Sequence, residues 1–512
     1  MAIKRYLADA DNTIVNTYEP NLKTRATGSN AGYSDIIEVY SIYGRQASGS
    51  QELSRILIQF PISDISTDRT AGVIPASGSV SYYLRLFNAQ HSRTVPEDYK
   101  ITVNPLSQSW QEGTGLDLVE YKDETKGNIG SNWMSASNTA GWTNSAGDVL
   151  VGGSIITSSA EYLYEQTFED GLEDLEIDIT PLVESWLAGT INNYGMLVKL
   201  SSSFEASASA SDTAADPAVI TNPDGATTSY YTKRFFARGT EYFFKRPVIE
   251  ARWNDRICDD RSNFYYSSSL APAADNLNTL YLYNYVRGVL TNIPAIGTGE
   301  IFVDLYSGSS APTGAALIQS VTTPATGGYV STGIYSCSVC LTAAATPLTT
   351  LFDVWRGPDA SPTEYFTGSI SPIVHYAAQT SRKPVYYLNI TNNKGKYRSD
   401  ETARFNLYIR NKYWNPTIYT VAEATPDSLT IESASYRVYR TLDGFEAIPY
   451  GTGSDLHTLL SHDVSGNYFD FDMSLLQPGY QYAFKFSFYE ASINSWSEQS
   501  ETFTFRVEEY EY

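Results

Sequence analysis

The stretch YQYAFKFSFYE, residues 480–490, decides the fold class of this chain. Aromatic side chains occupy every second position in it, and small or polar side chains stand between most of them. Because successive side chains of a strand point to opposite faces, this alternation predicts one long strand with a single buried face. That face would carry Tyr480, Tyr482, Phe484, Phe486 and Phe488.

The same alternation recurs along the whole chain. It is found in RILIQFPI (55–62), YKITV (99–103), IFVDLY (301–306), ARFNLYIR (403–410) and ETFTFRVEEY (501–510). In the first of these, Ile62 continues the face of the preceding apolar residues, which places it in the strand. Turn-rich segments separate these strands at short intervals and no βα alternation is present, so we expect an all-β protein built from β-sandwiches.

One short helix is predicted inside the first half of the chain. Thr180 can cap its start, Pro181 suits the first helical position and Gly189 can end it. The apolar residues Leu182, Val183 and Trp186 share one face at helical spacing. We therefore expect a helix of about two turns that closes one end of a sandwich.

Length and charge limit the classes of protein. At 512 residues the chain is too long for one core, which suggests about three domains. A formal net charge of -22 would repel phosphate backbones and anionic lipid, so we expect neither a nucleic acid nor a membrane as partner. The start MAIKRYLADADNT lacks the apolar stretch of a secretory signal, which predicts synthesis in the cytoplasm.

Two shifts in composition predict the domain boundaries. One follows RPVIEARWNDR, which ends at residue 256, and the other lies near SRKP at 381–384. We place domains at 1–256, 257–380 and 381–512, and the last two suit immunoglobulin-like sandwiches of about 100 residues with added loops. A low-complexity stretch at 201–229 is read either as a surface loop or as an arm that orders against a neighbouring subunit.

Few residues suggest chemistry. His457 and His462, with Asp455 and Asp463, could bind a metal in principle, but their spacing favours ordinary surface loop residues. The acidic pairs Asp9 and Asp11, and Asp259 and Asp260, match no complete calcium loop and are read as solvated carboxylates. We therefore predict no cofactor, no metal and no enzyme activity.

The cysteines also favour a structural interpretation. Cys337 and Cys340 form CSVC inside a predicted strand, whereas a redox pair normally begins a helix, and no second pair completes a zinc site. Because residues three apart on a strand point to opposite faces, we expect one thiol in the core and the other exposed. Cys258 is the third cysteine, and an odd total fits a reducing compartment.

Aromatic residues of the first domain are the candidates for a contact surface. Trp110 and Trp186 are read as packing residues. Trp133 and Trp142, in the Gly-, Ser- and Asn-rich stretch 127–147, and Phe204, in the low-complexity stretch, are the candidates for contact with a partner. The alternative for the two tryptophans is that they anchor the loop in which they stand.

An ordered series of short motifs gives the first domain a family resemblance. ADNTIVNTYEPN, SRILIQFPIS, SVSYYLRLFNA, YKITVNPLSQSWQEGTG, IDITPLVESWLAGTINNYGMLVKL and RFFARGTEYFFKRPVIEARW occur in that order. Residues 1–256 thereby resemble the DNRLRE-type jelly-roll domains, whose architecture is related to carbohydrate-binding modules. The resemblance implies a jelly-roll β-sandwich, from which this chain departs by its insertion at 201–229.

A second resemblance concerns the last domain. YYLNITNNKGKYRSDETARFNLYIRNKYWNPTIYTVA resembles a module of structural proteins of tailed bacteriophages. Together the two resemblances imply a virion protein that decorates the capsid or attaches at the neck, collar or tail, contacts other virion proteins and forms a homo-oligomer. The alternative that they leave open is an adhesin that recognises a host surface glycan.

Overall fold

The structure is a computed structural model that describes residues 2–16, 30–43, 52–91, 95–116, 130–143, 149–157, 160–207, 222–268, 270, 272, 276–319, 324–342, 348–358, 363–373, 384–418, 420–421, 428–451, 453, 455–490 and 493–509. The chain divides into two compact units. The N-terminal unit holds Ala2–Asn254 and the short segment Asp455–His457. The C-terminal unit holds Asp255–Ser454 and Thr458–Tyr512.

The N-terminal unit contains a four-stranded antiparallel sheet that joins its first and last strands. In spatial order its strands are β1 (Ile3–Leu7), β14 (Val248–Trp253), β5 (Val80–Leu86) and β11 (Leu175–Asp178). Ile3 pairs with Arg252 and Leu7 with Val248, so β1 lies at the sheet edge.

A seven-stranded sheet packs against this first sheet. It runs β10 (Tyr164–Phe168), β6 (Tyr99–Pro105), β12 (Met196–Leu200), β4 (Glu52–Gln59), β3 (Ile36–Ile42) and β13 (Tyr230–Phe236), and β2 (Ala10–Val15) also pairs with β4. Leu84 and Ile249 from the smaller sheet meet Ile58 and Val103 from the larger one in a single buried cluster. The two sheets therefore form a β-sandwich whose core is aliphatic.

The outer face of the seven-stranded sheet is buried as well. Leu53 and Leu57 of β4 point to that face, where a small sheet of β7 (Ser135–Ser137), β8 (Ala140–Thr143) and β9 (Val149–Leu150) accompanies them in a second buried cluster. The described residues 130–143 and 149–157, which hold this small sheet, are called the lid. Because both faces of β4 are covered, all six residues between Glu52 and Gln59 are buried, including the polar Ser54 and the charged Arg55.

Two α-helices, not one, occur in the described part of this unit: α1 (Ile62–Thr70) and α2 (Thr180–Leu187). The predicted helix is confirmed as α2, although Thr180 is its first residue and its hydroxyl donates to Asp178 Oδ1 (2.6 Å). The prediction missed α1 and wrongly continued the preceding strand to Ile62. The cause is composition, because the Ser, Thr and Asp residues of ISDISTDRT are weak helix formers and give no helical apolar stripe.

Shorter helical turns complete the described chain. Single 3₁₀ turns lie at Ala160–Tyr162, Phe243–Lys245 and Met473–Leu475. The two α-helices have nine and eight residues, against about 20 for a membrane-crossing helix, and no described helix qualifies as a candidate span.

The first half of the C-terminal unit is one curved sheet of six antiparallel strands. Its order is β15 (Asn278–Tyr283), β20 (Ile334–Val339), β19 (Ala325–Ser331), β18 (Ile301–Ser307), β21 (Leu351–Arg356) and β22 (Glu364–Ile370), beside a small hairpin of β16 (Tyr285–Val286) and β17 (Val289–Leu290). The first half of β19 pairs with β18 and its second half with β20. The sheet therefore curves around a core that includes Leu280, Val303 and Trp355.

The second half of the C-terminal unit is a sandwich of two sheets. One runs β23 (Tyr386–Ile390), β25 (Thr402–Asn411), β29 (Gly466–Asp472) and β28 (Ser461–Asp463). The other runs β24 (Lys396–Arg398), β32 (Phe503–Glu508), β30 (Gln481–Glu490), β26 (Ala434–Arg440) and β27 (Glu446–Ile448), with β31 (Ser495–Glu498) also on β30. Among the strand pairs described in these two sheets, the short pair of β24 and β32 is parallel and the others are antiparallel.

The stretch that predicted the fold class is the central strand β30. Its inward residues Tyr482, Phe484, Phe486 and Phe488 are buried, and Tyr480 precedes the strand. The ring of Phe484 lies 4.5 Å from that of Phe505 and 4.8 Å from that of Phe405, measured between centroids. The prediction of an all-β chain of packed sheets is confirmed.

Candidate assembly interface

The tryptophans predicted to contact a partner are buried. Trp133 and Trp142 lie in the second cluster, between the lid and the seven-stranded sheet. The indole Nε1 of Trp142 donates to the Asn132 carbonyl (2.9 Å), and the guanidinium of Arg55 lies 5.0 Å from the Trp133 ring centroid. These two rings cannot form the predicted contact surface. The Gly-, Ser- and Asn-rich composition suggested a loop, but the segment folds back onto an apolar sheet face.

The ends of the low-complexity stretch take part in the same packing. Phe204 is half-buried, and its ring meets that of Tyr230 edge to face at 5.2 Å. Glu205 forms a buried ion pair with Arg55 (3.0 Å). Phe204 therefore packs inward and offers little contact surface. The two interpretations of the low-complexity stretch, a surface loop or a segment that orders against a neighbouring subunit, depend on residues 208–221, which lie outside the described residues.

The two histidines are buried, which corrects their interpretation as surface residues. His457 Nδ1 lies 3.2 Å from Asp455 Oδ1, and His462 Nε2 lies 3.3 Å from Asp260 Oδ1. Each ring therefore faces a different carboxylate. Among the residues that the structure describes, no group of three or more His, Cys, Asp or Glu side chains is arranged to hold a metal ion.

Both thiols of the CSVC motif are buried, so the prediction of one exposed thiol is wrong. Cys337 lies on β20, but Cys340 lies one residue beyond its end, where strict alternation no longer applies. Burial raises the pKa of the Cys337 thiol to about 12. A thiol in that state is not a nucleophile at neutral pH, and Cys337 acts as a small apolar core residue.

Asp11 is part of a buried polar network and is not a solvated carboxylate. Its Oδ2 accepts a hydrogen bond from the Arg238 backbone N–H (2.6 Å), and its own N–H donates to Glu112 Oε1 (2.9 Å). Arg238 in turn pairs with Glu112 (2.6 Å). Burial, aided by the Glu112 carboxylate, raises the pKa of Asp11 to about 7. Asp9, nearby in the chain, is exposed as expected.

The raised pKa of Asp11 predicts a pH effect on stability. Between its ordinary pKa of 3.8 and about 7, the folded state binds the proton more tightly than the unfolded state, so stability should fall as the pH rises through this window. The effect amounts to about 4 kcal/mol at most. In thermal unfolding from pH 4 to 8, Asp11→Asn should lose this part of the pH dependence and should match or exceed the wild type at pH 8. Equal slopes for the two proteins would contradict the assignment.

The second acidic pair is also engaged inside the fold. Asp259 is buried, and burial raises the pKa of its carboxyl to about 6. The Asp260 carboxylate accepts a hydrogen bond from the Thr279 backbone N–H (2.6 Å) and faces His462. Both carboxylates therefore order the segment before β15.

A larger charge network, which the sequence analysis missed, covers the outer face of the four-stranded sheet. Glu250 is buried and faces the guanidinium groups of Arg5 (2.7 Å), Arg85 (3.3 Å) and Arg252 (2.5 Å). Burial alone would raise the pKa of Glu250, but the three guanidinium groups outweigh it and hold the pKa well below its ordinary value. The network is a structural element of the sheet, since its charges are internally paired.

The strongest exposed apolar feature is a loop at the end of β25, here called the arm, Lys412–Val421. Every residue of the arm that the structure describes is exposed. The exposed fractions of its apolar residues are 74% for Tyr413, 53% for Trp414, 92% for Ile418 and 76% for Val421. Soluble proteins rarely expose such groups together unless they contact a partner.

The arm is held at its base and lies beside an open sheet edge. The Lys412 N–H donates to the Val385 carbonyl (2.7 Å), so the first residue of the arm is tied to the residue that precedes β23. Beyond the arm, the Leu429 N–H donates to the carbonyl of Ile409 in β25 (2.7 Å). Within the described chain β23 pairs only with β25, which leaves backbone groups along its other edge. Tyr387, on β23, is exposed and stacks with Arg410 at 5.3 Å.

A local sequence signal could have found the arm. The residues 412–433 that connect β25 to β26 exceed the roughly 12–15 residues of ordinary structureless connections. Pro416 follows Asn415, which is a turn signal, yet Tyr413 and Trp414 directly precede it. Large aromatic residues at a turn, where polar residues are usual, indicate a contact.

Comparisons with known proteins assign this chain to no family. No protein-family model matches it, and no curated protein matches it. Among solved structures, it is similar to a DUF4785 family protein from Legionella pneumophila, at 9% identity and a TM-score of 0.13, over 97% of this chain and 92% of that chain. At that TM-score the likeness carries no argument about fold or function.

Proposed function

We propose that this chain is a non-enzymatic structural component of a tailed-bacteriophage particle that acts through protein–protein contacts. The observation that carries the proposal is the arm, an apolar and aromatic loop held out from a rigid sandwich. Binding of a partner to a surface of this kind is favourable, because it removes the aromatic rings from water. The resemblance of residues 386–422 to a module of phage structural proteins is the reason for proposing a tailed-bacteriophage particle.

Three carboxylates inside the fold support a structural role. Asp11, Asp260 and Glu250 each accept hydrogen bonds or ion pairs from neighbouring parts of the scaffold. A catalytic carboxylate needs contact with a substrate, whereas these groups are enclosed by their own partners. Their chemistry serves the stability of the sheets.

The proposal extends to place and partners. The chain would be made in the host cytoplasm and carried in the virion, on the capsid surface or at the neck, collar or tail, in several symmetric copies. Its partners would be other virion proteins and further copies of itself.

The test is a cryo-electron microscopy map of the particles from the source culture, together with mass spectrometry of the purified virions. We expect peptides of this chain in the virions and a ring or lattice of β-sandwich density with the arm at a contact. Purified particles that lack the protein would overturn the proposal.

A second candidate function, glycan binding, is favoured by one exposed aromatic pair. Tyr489 and Trp496 pair across β30 and β31, with ring centroids 5.6 Å apart, and both rings are exposed. Glu498, on the same strand as Trp496, adds a carboxylate acceptor. Exposed rings beside polar groups can stack on a sugar. Retention on immobilised host polysaccharide that Trp496→Ala loses, while Trp414→Ala keeps it, would favour this function over the first.

A further inference from the structure

The charge of this chain is distributed very unevenly. Residues 127–198 contain ten acidic side chains and no lysine or arginine. Residues 381–412 contain eight basic side chains and two acidic ones, in a chain whose net charge is -22. Such asymmetry between segments indicates electrostatic association between unlike surfaces.

Six of these basic side chains lie in the described part of the chain, and four of the six form ion pairs within the fold. The ion pairs are Lys394–Glu401, Lys396–Glu508, Arg398–Asp400 and Arg404–Asp470. Arg410 and Lys412 differ, because both are exposed and neither has a carboxylate partner among the described residues. They stand at the base of the arm, beside the exposed rings of Tyr413 and Trp414. Exposed aromatic rings therefore lie beside two positive charges that pair with no carboxylate of the described chain.

The acidic segment has a matching feature, the acidic turn Glu169–Asp174, which joins β10 to β11. Glu169 and Asp170 are exposed and have no cationic partner within the described chain. Leu172, between them and β11, is 55% exposed. The turn thus presents one apolar side chain beside two negative charges that pair with no cation of the described chain.

The acidic turn is also rigidly held. The buried ammonium of Lys233 donates to the carbonyls of Gly171 (2.9 Å) and Glu173 (2.6 Å). The Asp174 carboxylate accepts a hydrogen bond from the Asn88 N–H (2.7 Å). Because the turn is ordered before any partner arrives, docking on it loses little conformational entropy.

We propose that the arm of one copy of this chain docks on the acidic turn of a second copy. Arg410 and Lys412 would face Glu169 and Asp170, and Trp414 would cover Leu172. This inference rests on the proposed function, since it names the partner of the arm. The two surfaces differ, so the contact is heterologous and each copy keeps one free surface, which yields a ring or an open row of copies.

The experiment is a charge swap on the full-length protein, followed by analytical ultracentrifugation. The wild type should self-associate at low salt and dissociate at high salt, because the Debye length falls from about 10 Å at 0.1 M to about 3 Å at 1 M. Arg410→Glu with Lys412→Glu, and separately Glu169→Lys with Asp170→Lys, should each weaken association more than tenfold, since like charges would then meet. An equimolar mixture of the two double variants should restore association.

A matched control separates this effect from a change in net charge. Glu241→Lys with Glu300→Lys alters two exposed acidic residues elsewhere by the same total charge as the variant of the acidic turn. It should associate at least as well as the wild type. A wild type that remains monomeric at low salt, or a mixture that fails to associate, would overturn the docking inference. If virions nevertheless contain the protein, the proposed function stands and only this inference fails.

Discussion

Replacing Glu250 with alanine should destabilise the N-terminal unit by roughly 3–5 kcal/mol. The carboxylate is buried among Arg5, Arg85 and Arg252, and its removal leaves three guanidinium groups with too little negative charge near them. Breaking a buried pair costs more than the pair itself contributes, because the charge left behind remains desolvated. Differential scanning calorimetry should show the transition of this unit at a lower temperature.

The matched control for this prediction is Glu165→Ala. Glu165 pairs with Lys100 at 2.8 Å on the surface, where solvent screens the interaction. Its loss should change the free energy of unfolding by less than about 1 kcal/mol. If Glu250→Ala unfolded at the same temperature as the control, the network would not be buried as described.

Trp133→Ala should lower the free energy of unfolding of the same unit by about 3–5 kcal/mol. The substitution removes a buried indole ring from the second cluster, and with it the ring face on which the Arg55 guanidinium rests. Urea titration followed by circular dichroism measures the change. A tryptophan that contacted only an external partner would give a different result, with full stability and lost binding.

Trp414→Ala provides the comparison for Trp133→Ala. Its ring is exposed in the arm, so the substitution should alter stability by no more than about 0.5 kcal/mol while it weakens association through the arm. If the two variants were equally stable, Trp133 would not be a core residue. That result would support the sequence-based prediction that Trp133 contacts a partner.

The sequence predicted those elements whose cause is local. The strand β30 and the helix α2 followed from periodicity, because each buries one face of a regular element. The helix α1 was missed because Ile62 and Ile65 are its only buried residues, and its other residues carry no helical pattern. Local patterns therefore predicted the fold class well and the irregular helix poorly.

The candidate site could not be predicted in the same way, because burial depends on distant segments. Trp133 stands in a polar, loop-like sequence, and it is a core residue because it joins a buried cluster with residues distant in the chain, such as Leu57 of β4. In the sequence, Glu250 looks like an ordinary solvent-facing residue of a strand. Its buried pairing becomes visible only in the structure, where Arg5, 245 positions away, lies beside it. Pairings over such distances leave no periodic trace in one sequence.

The pairing of β1 with β14 has a consequence for biosynthesis. The first strand of the chain finds its only partner in the described sheet about 250 residues later, at Val248–Trp253. A ribosome that adds roughly 5–20 residues per second needs on the order of 10–50 s to supply that partner. Until then the backbone hydrogen-bonding groups of β1 lack their strand partner. Slower translation of the residues between β1 and β14 would lengthen that interval, so the yield of native protein should depend on how fast this part of the message is translated.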